Sequence, residues 1–368
     1  MKTRLFEPIQ LGGVTLANRI VVSPMCQYSA VDGVMGAWHR QHLGSLAVSG
    51  AAAVVIEATA VTPQGRITRG CTGLYADTQE NRLREIISDI RTYSSTILGI
   101  QLGHTGRRGS IHRPWDYNFE PLWPDEGGWR TVAPSPLPFR EGWPMPEVLS
   151  EAGMADILHA FEDSTRRAAR LDLGLIELHG AHGYLMHQFL SPLSNQRSDA
   201  YGGTIDNRMR FPLSIVKAVR GVWPSERALG VRISATDWLD GGWNVNDSIV
   251  FTRELEKVGV DYVCVSSGGM GGLSTALTSE HLRLAEQIRG GTSVAICGVG
   301  HIYRPQQAED ALSAGQADFV ALGRAFLDNP RWALHAAVAL RETPPFPEQY
   351  ALAAPDKWRG YAVLHDLS

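Results

Sequence analysis

The chain of 368 residues carries 34 basic and 38 acidic side chains, so its formal net charge is −4. This balance gives no electrostatic reason to expect nucleic acid or an anionic membrane as a partner. No apolar run approaches the roughly 20 residues that span a bilayer, and the first residues lack the apolar core of a signal peptide. We therefore expect a cytoplasmic protein. The four cysteines form no CxxC pair, which argues against a zinc site, an iron–sulfur cluster and a disulfide framework.

Eight short apolar segments recur along the chain. Most are continuously apolar and rich in β-branched residues, as expected of parallel strands that are covered on both faces. They occupy residues 20–24, 53–58, 97–102, 173–178, 229–234, 262–266, 294–298 and 319–323. Helical periodicity predicts helices between them, at residues 81–94, 154–170, 246–258 and 305–314.

This alternation of strands and helices predicts the α/β class and a (β/α)8 TIM barrel, folded as a single domain over residues 1–368. The alternative is a doubly wound open sheet, which normally carries a glycine-rich fingerprint after its first strand. Here the first segment leads into Ser23, Pro24, Met25 and Cys26. The closed barrel is therefore the better prediction.

Three stretches depart from the alternation. Residues 107–148 form an insertion rich in Pro, Gly and Trp after the third predicted strand. Because it follows a strand, the insertion should lie at the C-terminal face of the barrel, where it either caps a pocket or packs as a surface excursion. Residues 185–210 are expected to be extended before the next helix begins. The tail at residues 343–368 carries Trp358 and Arg359.

Glycines and an arginine follow the last two predicted strands. Gly298 and Gly300 come with the seventh, and Gly323 and Arg324 with the eighth. Glycine lets a phosphate approach backbone N–H groups, and arginine offers it a bidentate partner. Barrel enzymes frequently bind phosphate at these two loops. We therefore expect a phosphate-bearing ligand here, the alternative being glycines that serve tight turns only.

His179, His182 and Tyr184 follow the fourth predicted strand. Two histidines at this spacing could share a metal ion, as in a hydrolase, but such a site needs further ligands, and only Glu57 and Asp237 lie nearby. Two neutral imidazoles could instead donate hydrogen bonds to a substrate carbonyl oxygen. Schiff-base chemistry is excluded, because none of the four lysines follows a predicted strand.

Taken in order, the motifs resemble those of the old yellow enzyme family. They are SPMCQY at 23–28, EATAV at 57–61, QLGH at 101–104, HGAHGYL at 179–185, SPLSNQR at 191–197 and LGR at 322–324. The match covers essentially the whole chain. Cys26, Tyr28 and the histidine pair are most similar to the thermophilic-like subgroup, which includes xenobiotic reductases, whereas yeast-type members have Thr in place of Cys26.

The resemblance implies FMN as the cofactor and NADPH or NADH as the hydride donor. An arginine beside the flavin makes physical sense, because a fixed cation stabilises the anionic reduced ring. Cys26 is expected to tune the flavin potential, unless it is only a small buried side chain. The cofactor-binding residues implied are Ser23, Pro24, Met25, Cys26 and Ala60 along the ring, Gln101 and Arg232 at its pyrimidine edge, and Gly298, Gly300, Gly323 and Arg324 at the phosphate.

The resemblance also implies an NADPH dehydrogenase that reduces the C=C bond of an α,β-unsaturated carbonyl or nitro compound by ping-pong kinetics. His179 and His182 would bind the substrate oxygen, Tyr184 would protonate the α-carbon, and Tyr28 would add a hydrogen bond. Arg108 is expected either to contact cofactor or substrate or to be a solvated loop residue.

In this subgroup a residue near the C-terminus reaches a neighbouring protomer's pocket, and Trp358 is favoured over Arg359 for that position. The tail therefore indicates a homodimer or homotetramer. An FMN-dependent amine-oxidising enzyme and a non-catalytic FMN-binding protein are the remaining alternatives.

Overall fold

Eight parallel strands form a closed ring, in which each strand pairs with the next one in the chain and the eighth pairs with the first. The protein is described here by a computed structural model that covers residues 3–271 and 278–364. The strands are β1 (Ile20–Val22), β2 (Ala53–Ala60), β3 (Ile97–Gly103), β4 (Leu175–Gly180), β5 (Ala228–Ser234), β6 (Tyr262–Ser266), β7 (Ala295–Val299) and β8 (Phe319–Leu322).

Helices surround the ring and cover its outer face. They are α1 (Ala37–Ala47), α2 (Asp77–Arg91), α3 (Glu151–Ala169), α4 (Ile205–Val222), α5 (Val245–Val258), α6 (Thr278–Arg289), α7 (Pro305–Ser313) and α8 (Trp332–Ala339). Four shorter helices are Pro114–Tyr117, Leu185–Leu190, Arg324–Asp328 and Gly360–Leu364. The predicted (β/α)8 barrel is therefore confirmed, and the open sheet was the wrong alternative.

The predicted segment boundaries differ from the observed ones mainly at helix N-termini. Helix α2 begins four residues before the predicted start, because the side-chain oxygen of Gln79 accepts hydrogen bonds from the backbone N–H groups of Tyr75 and Ala76, just before the helix. Helix α3 begins at Glu151, where Ser150 accepts from the N–H of Gly153 at 3.1 Å. Polar caps of this kind extend a helix beyond its apolar periodicity.

The expectation that residues 185–210 are extended was wrong in its first part. Leu185–Leu190 is a helix, and all six of its residues are buried. A helix that is buried on every side has no polar face. The amphipathic pattern that predicts a helix is therefore absent from this segment.

The base of the barrel is closed by a two-stranded hairpin, Ile9–Leu11 paired with Val14–Leu16. Leu11 and Leu16 pack beneath an interior layer that includes Tyr262 and Phe319. Apolar side chains thus fill the N-terminal half of the barrel, which leaves the polar strand ends at the opposite face.

Residues of the insertion contact side chains that follow other strands. The rings of Trp115 and Phe119 lie 6.0 and 5.7 Å from that of Tyr28. Within the insertion, Val132–Ala133 pairs with Glu147–Val148. Across the described part of the chain, no helix combines the length and apolarity needed to cross a membrane.

Candidate active site

The two predicted histidines lie side by side where β4 ends. Nε2 of His179 is 3.3 Å from Nδ1 of His182, and Nε2 of His182 is 2.8 Å from Oγ of Ser266. The backbone N–H of Ala181 donates to Nδ1 of His179, so the proton of that neutral ring is on Nε2. Nε2–H of His179 then donates to His182, whose own Nε2–H donates to Ser266.

Both imidazoles are held in the neutral form. Burial lowers the pKa of each well below its ordinary value, and the nearby Arg232 guanidinium lowers it further. The pair can therefore donate hydrogen bonds without adding positive charge. A substrate oxygen placed here would replace the contact between the two rings. Nε2–H of His179 would then donate to the oxygen directly, and His182 would donate from Nδ1 once its proton moves there and Nε2 accepts from the Ser266 hydroxyl.

Tyr184 lies against His179, with ring centroids 4.6 Å apart. Burial raises the pKa of its hydroxyl, and the Arg108 guanidinium, 5.6 Å from the ring centroid, partly offsets that rise. The hydroxyl therefore stays protonated at neutral pH. Arg108 also donates to the carbonyl of His182 and packs over Phe139 of the insertion, so the alternative of a solvated loop arginine was wrong.

The turn after β1, residues 23–28, lies near Tyr184. Burial raises the pKa of the Cys26 thiol well above its ordinary value, so this cysteine stays protonated. Cys26, Tyr28 and Tyr184 pack against one small apolar cluster formed by Ile67, Cys71 and Ile111. The sequence-predicted residues from strands β1 and β4 are thus brought together. Ala60 lines a cavity with His179 and Tyr184.

Arg232 projects from β5 into the barrel, where it is nine-tenths buried. One of its Nη1 protons is donated to Oγ of Ser23 at 3.0 Å, whereas its Nε is buried without a hydrogen-bond partner. A buried guanidinium N–H without an acceptor is costly, so this donor needs a ligand atom. Its position between β1 and β4 fits an anionic flavin edge.

Glu177 is a buried carboxylate that the sequence reasoning missed. It accepts from the Gln101 amide at 2.7 Å and from the Tyr262 hydroxyl at 3.3 Å. Burial raises its pKa, and Arg232 offsets part of the rise. A single Glu inside the otherwise apolar strand β4 was the available signal, because charged residues are rarely buried unless they are paired.

The glycines after β7 have packing roles of their own. A Cβ on Gly298 would lie 3.1 Å from that of Ala317, and one on Gly300, at φ +111°, would lie 3.1 Å from the ring of His281. A Cβ on Gly323 would meet only Met25 and Ser23, at ordinary contact distance. Arg324 is exposed and has no ion-pair partner within residues 3–271 and 278–364. Gly323 and Arg324 are thus accessible to a phosphate.

The alternative of a metal site lacks a set of ligands among the described residues. Glu57 is directed to His39 and the backbone of Gln27, and Asp237 to His187. In the described parts of the chain, no three His, Cys, Asp or Glu side chains are grouped so that they could hold a metal ion.

The C-terminal tail was predicted to reach another protomer. Trp358 is 42% exposed, and its ring meets that of Tyr361 edge-on at 6.3 Å. Residues 365–368 lie outside the described part. The neighbouring-protomer contact stays a prediction.

The barrel, the neutral donor pair and the buried arginine define a flavin-dependent oxidoreductase site. Comparison with known proteins agrees. Residues 4–342 match the model of the NADH:flavin oxidoreductase / NADH oxidase family. The chain is 39% identical to an NADPH dehydrogenase of Geobacillus thermodenitrificans over 95% of this chain and 98% of the relative, and 38% identical to one of Listeria innocua over 95% and 99%.

Among solved structures, morphinone reductase in complex with tetrahydroNAD superposes with a TM-score of 0.76 at 26% identity, over 97% of this chain and 96% of that one. The chain therefore belongs to the old yellow enzyme family and is an FMN-dependent NAD(P)H oxidoreductase. Arg232, Ser23, Gly323 and Arg324 are the residues whose free donors or open backbone suit FMN.

Proposed function

We propose that the enzyme reduces the C=C bond of α,β-unsaturated carbonyl or nitro compounds, with NADPH or NADH as the donor. The observation that carries the proposal is the neutral pair His179 and His182 beside the protonated Tyr184. Neutral N–H donors stabilise negative charge that develops on a carbonyl or nitro oxygen. Bound FMN supplies the hydride chemistry.

Each side chain then has a defined task. His179 and His182 bind the substrate oxygen and polarise the conjugated alkene. Tyr184 delivers its hydroxyl proton to the α-carbon, a contribution of about 10²–10⁴-fold for a positioned general acid. Tyr28 donates a further hydrogen bond to the oxygen. Because donor and alkene would use one pocket, we propose ping-pong kinetics.

The resemblance to the family supports the cofactor contacts that we propose. Arg232 and Gln101 would lie at the pyrimidine edge of FMN, residues 23–26 and Ala60 would line its ring, and Gly323 and Arg324, with the backbone at Gly298 and Gly300, would hold its phosphate. Arg108, which is part of the insertion 107–148, would close the substrate pocket. The tail would place Trp358 in a neighbouring pocket of a homodimer or homotetramer.

An anaerobic absorbance titration tests the proposal. Flavin bands should bleach with NADPH and return on addition of cyclohexenone, with one equivalent of each. Bands that bleach with NADPH but do not return with cyclohexenone or a nitroalkene would overturn the assigned substrate class while leaving the family intact.

A further inference from the structure

The turn that carries His182 and Tyr184 has an unusual backbone. His182 and Gly183 adopt φ of +57° and +73°, in the left-handed region. That conformation is unfavourable for histidine and persists only where surrounding contacts fix it. A Cβ on Gly183 would lie 2.2 Å from the carbonyl oxygen of Gly269, so the turn also packs tightly against the loop that follows β6.

Gly183 is held through both of its peptide groups. Its N–H donates to Nδ1 of His187 at 2.9 Å, and its carbonyl accepts from Nε2 of Gln188 at 2.7 Å. His187 and Gln188 belong to the helix Leu185–Leu190 and are fully buried. These contacts hold Gly183, which stands in the sequence between His182, the residue that would bind the substrate oxygen, and Tyr184, the residue that would donate the proton.

The contact with Gly183 fixes the proton of His187. Because an N–H donates into Nδ1, that nitrogen carries no proton, and the neutral ring is protonated on Nε2. Nε2 lies 2.9 Å from Oδ1 of Asp237, and both side chains are fully buried. The other carboxylate oxygen accepts from Ser191 Oγ at 2.6 Å and from the backbone N–H of Trp243 at 2.8 Å.

We infer that Asp237 and His187 are positioning residues: through a chain of contacts, the 2.9 Å contact of Asp237 with Nε2 of His187 and the hydrogen bond from the Gly183 N–H to Nδ1, they fix the turn that aims Tyr184. This inference rests on the proposed function of Tyr184. Asp237 contacts no reacting group; it selects the His187 tautomer, as a buried carboxylate does for a catalytic histidine.

Asp237→Asn tests the chain with almost no change in shape. If its amide NH2 faces Trp243, two N–H donors oppose each other. If it faces His187, the ring must move its proton to Nδ1, where it opposes the N–H of Gly183. The first orientation repels the side chain from Trp243 and so displaces the partner of His187, and the second breaks the contact of His187 with Gly183. In both cases the turn relaxes, and a shift of about 1 Å at the proton donor can cost on the order of 10²-fold in rate.

The measurement is rapid mixing of the holoenzyme in both half-reactions. We expect Asp237→Asn to slow reoxidation by cyclohexenone on the order of 10²-fold, to change flavin reduction by NADPH about twofold at most, and to have no added effect in Tyr184→Phe. Two variants of His187 each break one of its two contacts. His187→Asn keeps an acceptor near the Gly183 N–H, and His187→Gln keeps a donor near Asp237. Both should slow reoxidation and leave flavin reduction nearly unchanged, as Asp237→Asn does. Thr165→Val, which removes a buried hydrogen bond to the Phe161 carbonyl in α3, is the control and should change neither rate.

Equal slowing of both half-reactions, or additivity with Tyr184→Phe, would overturn the inference in favour of a purely structural pair. A second readout does not depend on turnover: ¹⁵N spectra of histidine-labelled enzyme, with the His187 signals assigned by their loss in His187→Gln. We expect the proton of His187 on Nε2 and none on Nδ1. A proton on Nδ1 instead would overturn the inference. If wild-type enzyme does not reduce cyclohexenone, the proposed function fails while this tautomer result still decides the inference.

Discussion

Two turns at the C-terminal face, residues 23–28 after β1 and residues 181–184 after β4, are each fixed by a buried carboxylate paired with a histidine. In the β1 turn the carboxylate itself accepts a backbone N–H, because Oε2 of Glu57 lies 2.9 Å from the N of Gln27 while Oε1 lies 3.3 Å from His39. In the β4 turn the histidine accepts the backbone N–H, and Asp237 stands behind it.

The pKa values of the two carboxylates are also shifted in opposite directions. Burial raises the pKa of Glu57, and the hydrogen bonds from His39 and Gln27 offset only part of that rise. Burial acts in the same direction on Asp237, but His187, Ser191 and the Trp243 N–H outweigh it and lower the pKa below its ordinary value. The number of donors, and not burial alone, therefore decides the direction in which each pKa is shifted.

The largest expected difference between the turns is catalytic. Tyr184→Phe should slow reoxidation of the reduced enzyme by cyclohexenone by about 10²–10⁴-fold, because it removes the proton donor. Tyr28→Phe removes one hydrogen bond of about 0.5–1.5 kcal/mol and should slow it by about tenfold or less. Stopped-flow absorbance measures both. Equal losses in the two variants would mean that the proton donor has been assigned to the wrong turn.

The second largest expected difference is in stability, to which Asp237 and Glu57 should contribute unequally. Asp237→Ala leaves three buried donors without an acceptor and should lower the free energy of unfolding by about 3–5 kcal/mol. Glu57→Ala leaves fewer and should cost about 1–3 kcal/mol. Urea unfolding of the FMN-free proteins gives both values, with Asp356→Ala, at an exposed tail position, as the control. A larger cost for Glu57→Ala would contradict the donor argument.

Glu57 and Asp237 should contribute to the pH dependence of the free energy of unfolding with opposite signs. The raised pKa of Glu57 means that the folded state binds the proton more tightly, so its contribution is lost as pH rises from the unfolded towards the folded pKa. The lowered pKa of Asp237 makes its contribution present above the unfolded pKa and lost as pH falls towards the folded one.

Glu57→Gln should therefore flatten the alkaline side of that profile, and Asp237→Asn the acid side. Unfolding free energies measured from about pH 3 to 8 test this. The same slope change in both variants would show that the two pKa values are not shifted in opposite directions.

The smallest expected effect concerns Cys26. Cys26→Ala replaces a neutral thiol in the β1 turn and should shift the flavin reduction potential on the order of 30 mV, which is 1.4 kcal/mol for a two-electron couple. FMN content should not change. Anaerobic titration against a reference dye gives the potential, and Cys264→Ala, at the base of the barrel, should leave it unaltered. No shift in Cys26→Ala would leave this cysteine a packing role only.

Much of the molecule could be predicted because its signals are local. Each barrel strand is an apolar run that is readable by itself, and the residues at strand ends follow from the rule that parallel strands share one catalytic edge. His179, His182, Tyr184 and Arg232 were therefore predicted to lie at one face, and the structure brings them there. The buried helix Leu185–Leu190 escaped prediction, because helical periodicity is visible only when one face is polar.

The sequence by itself determined the barrel, the family and the set of side chains at its C-terminal face, since these depend on strand pattern and on motifs in fixed order. Only the tertiary structure decided which partners hold those side chains. Glu177 with Gln101, Glu57 with His39 and Asp237 with His187 are pairs between different elements. Their charges and tautomers depend on burial and on donors brought together by folding, and a linear pattern encodes neither.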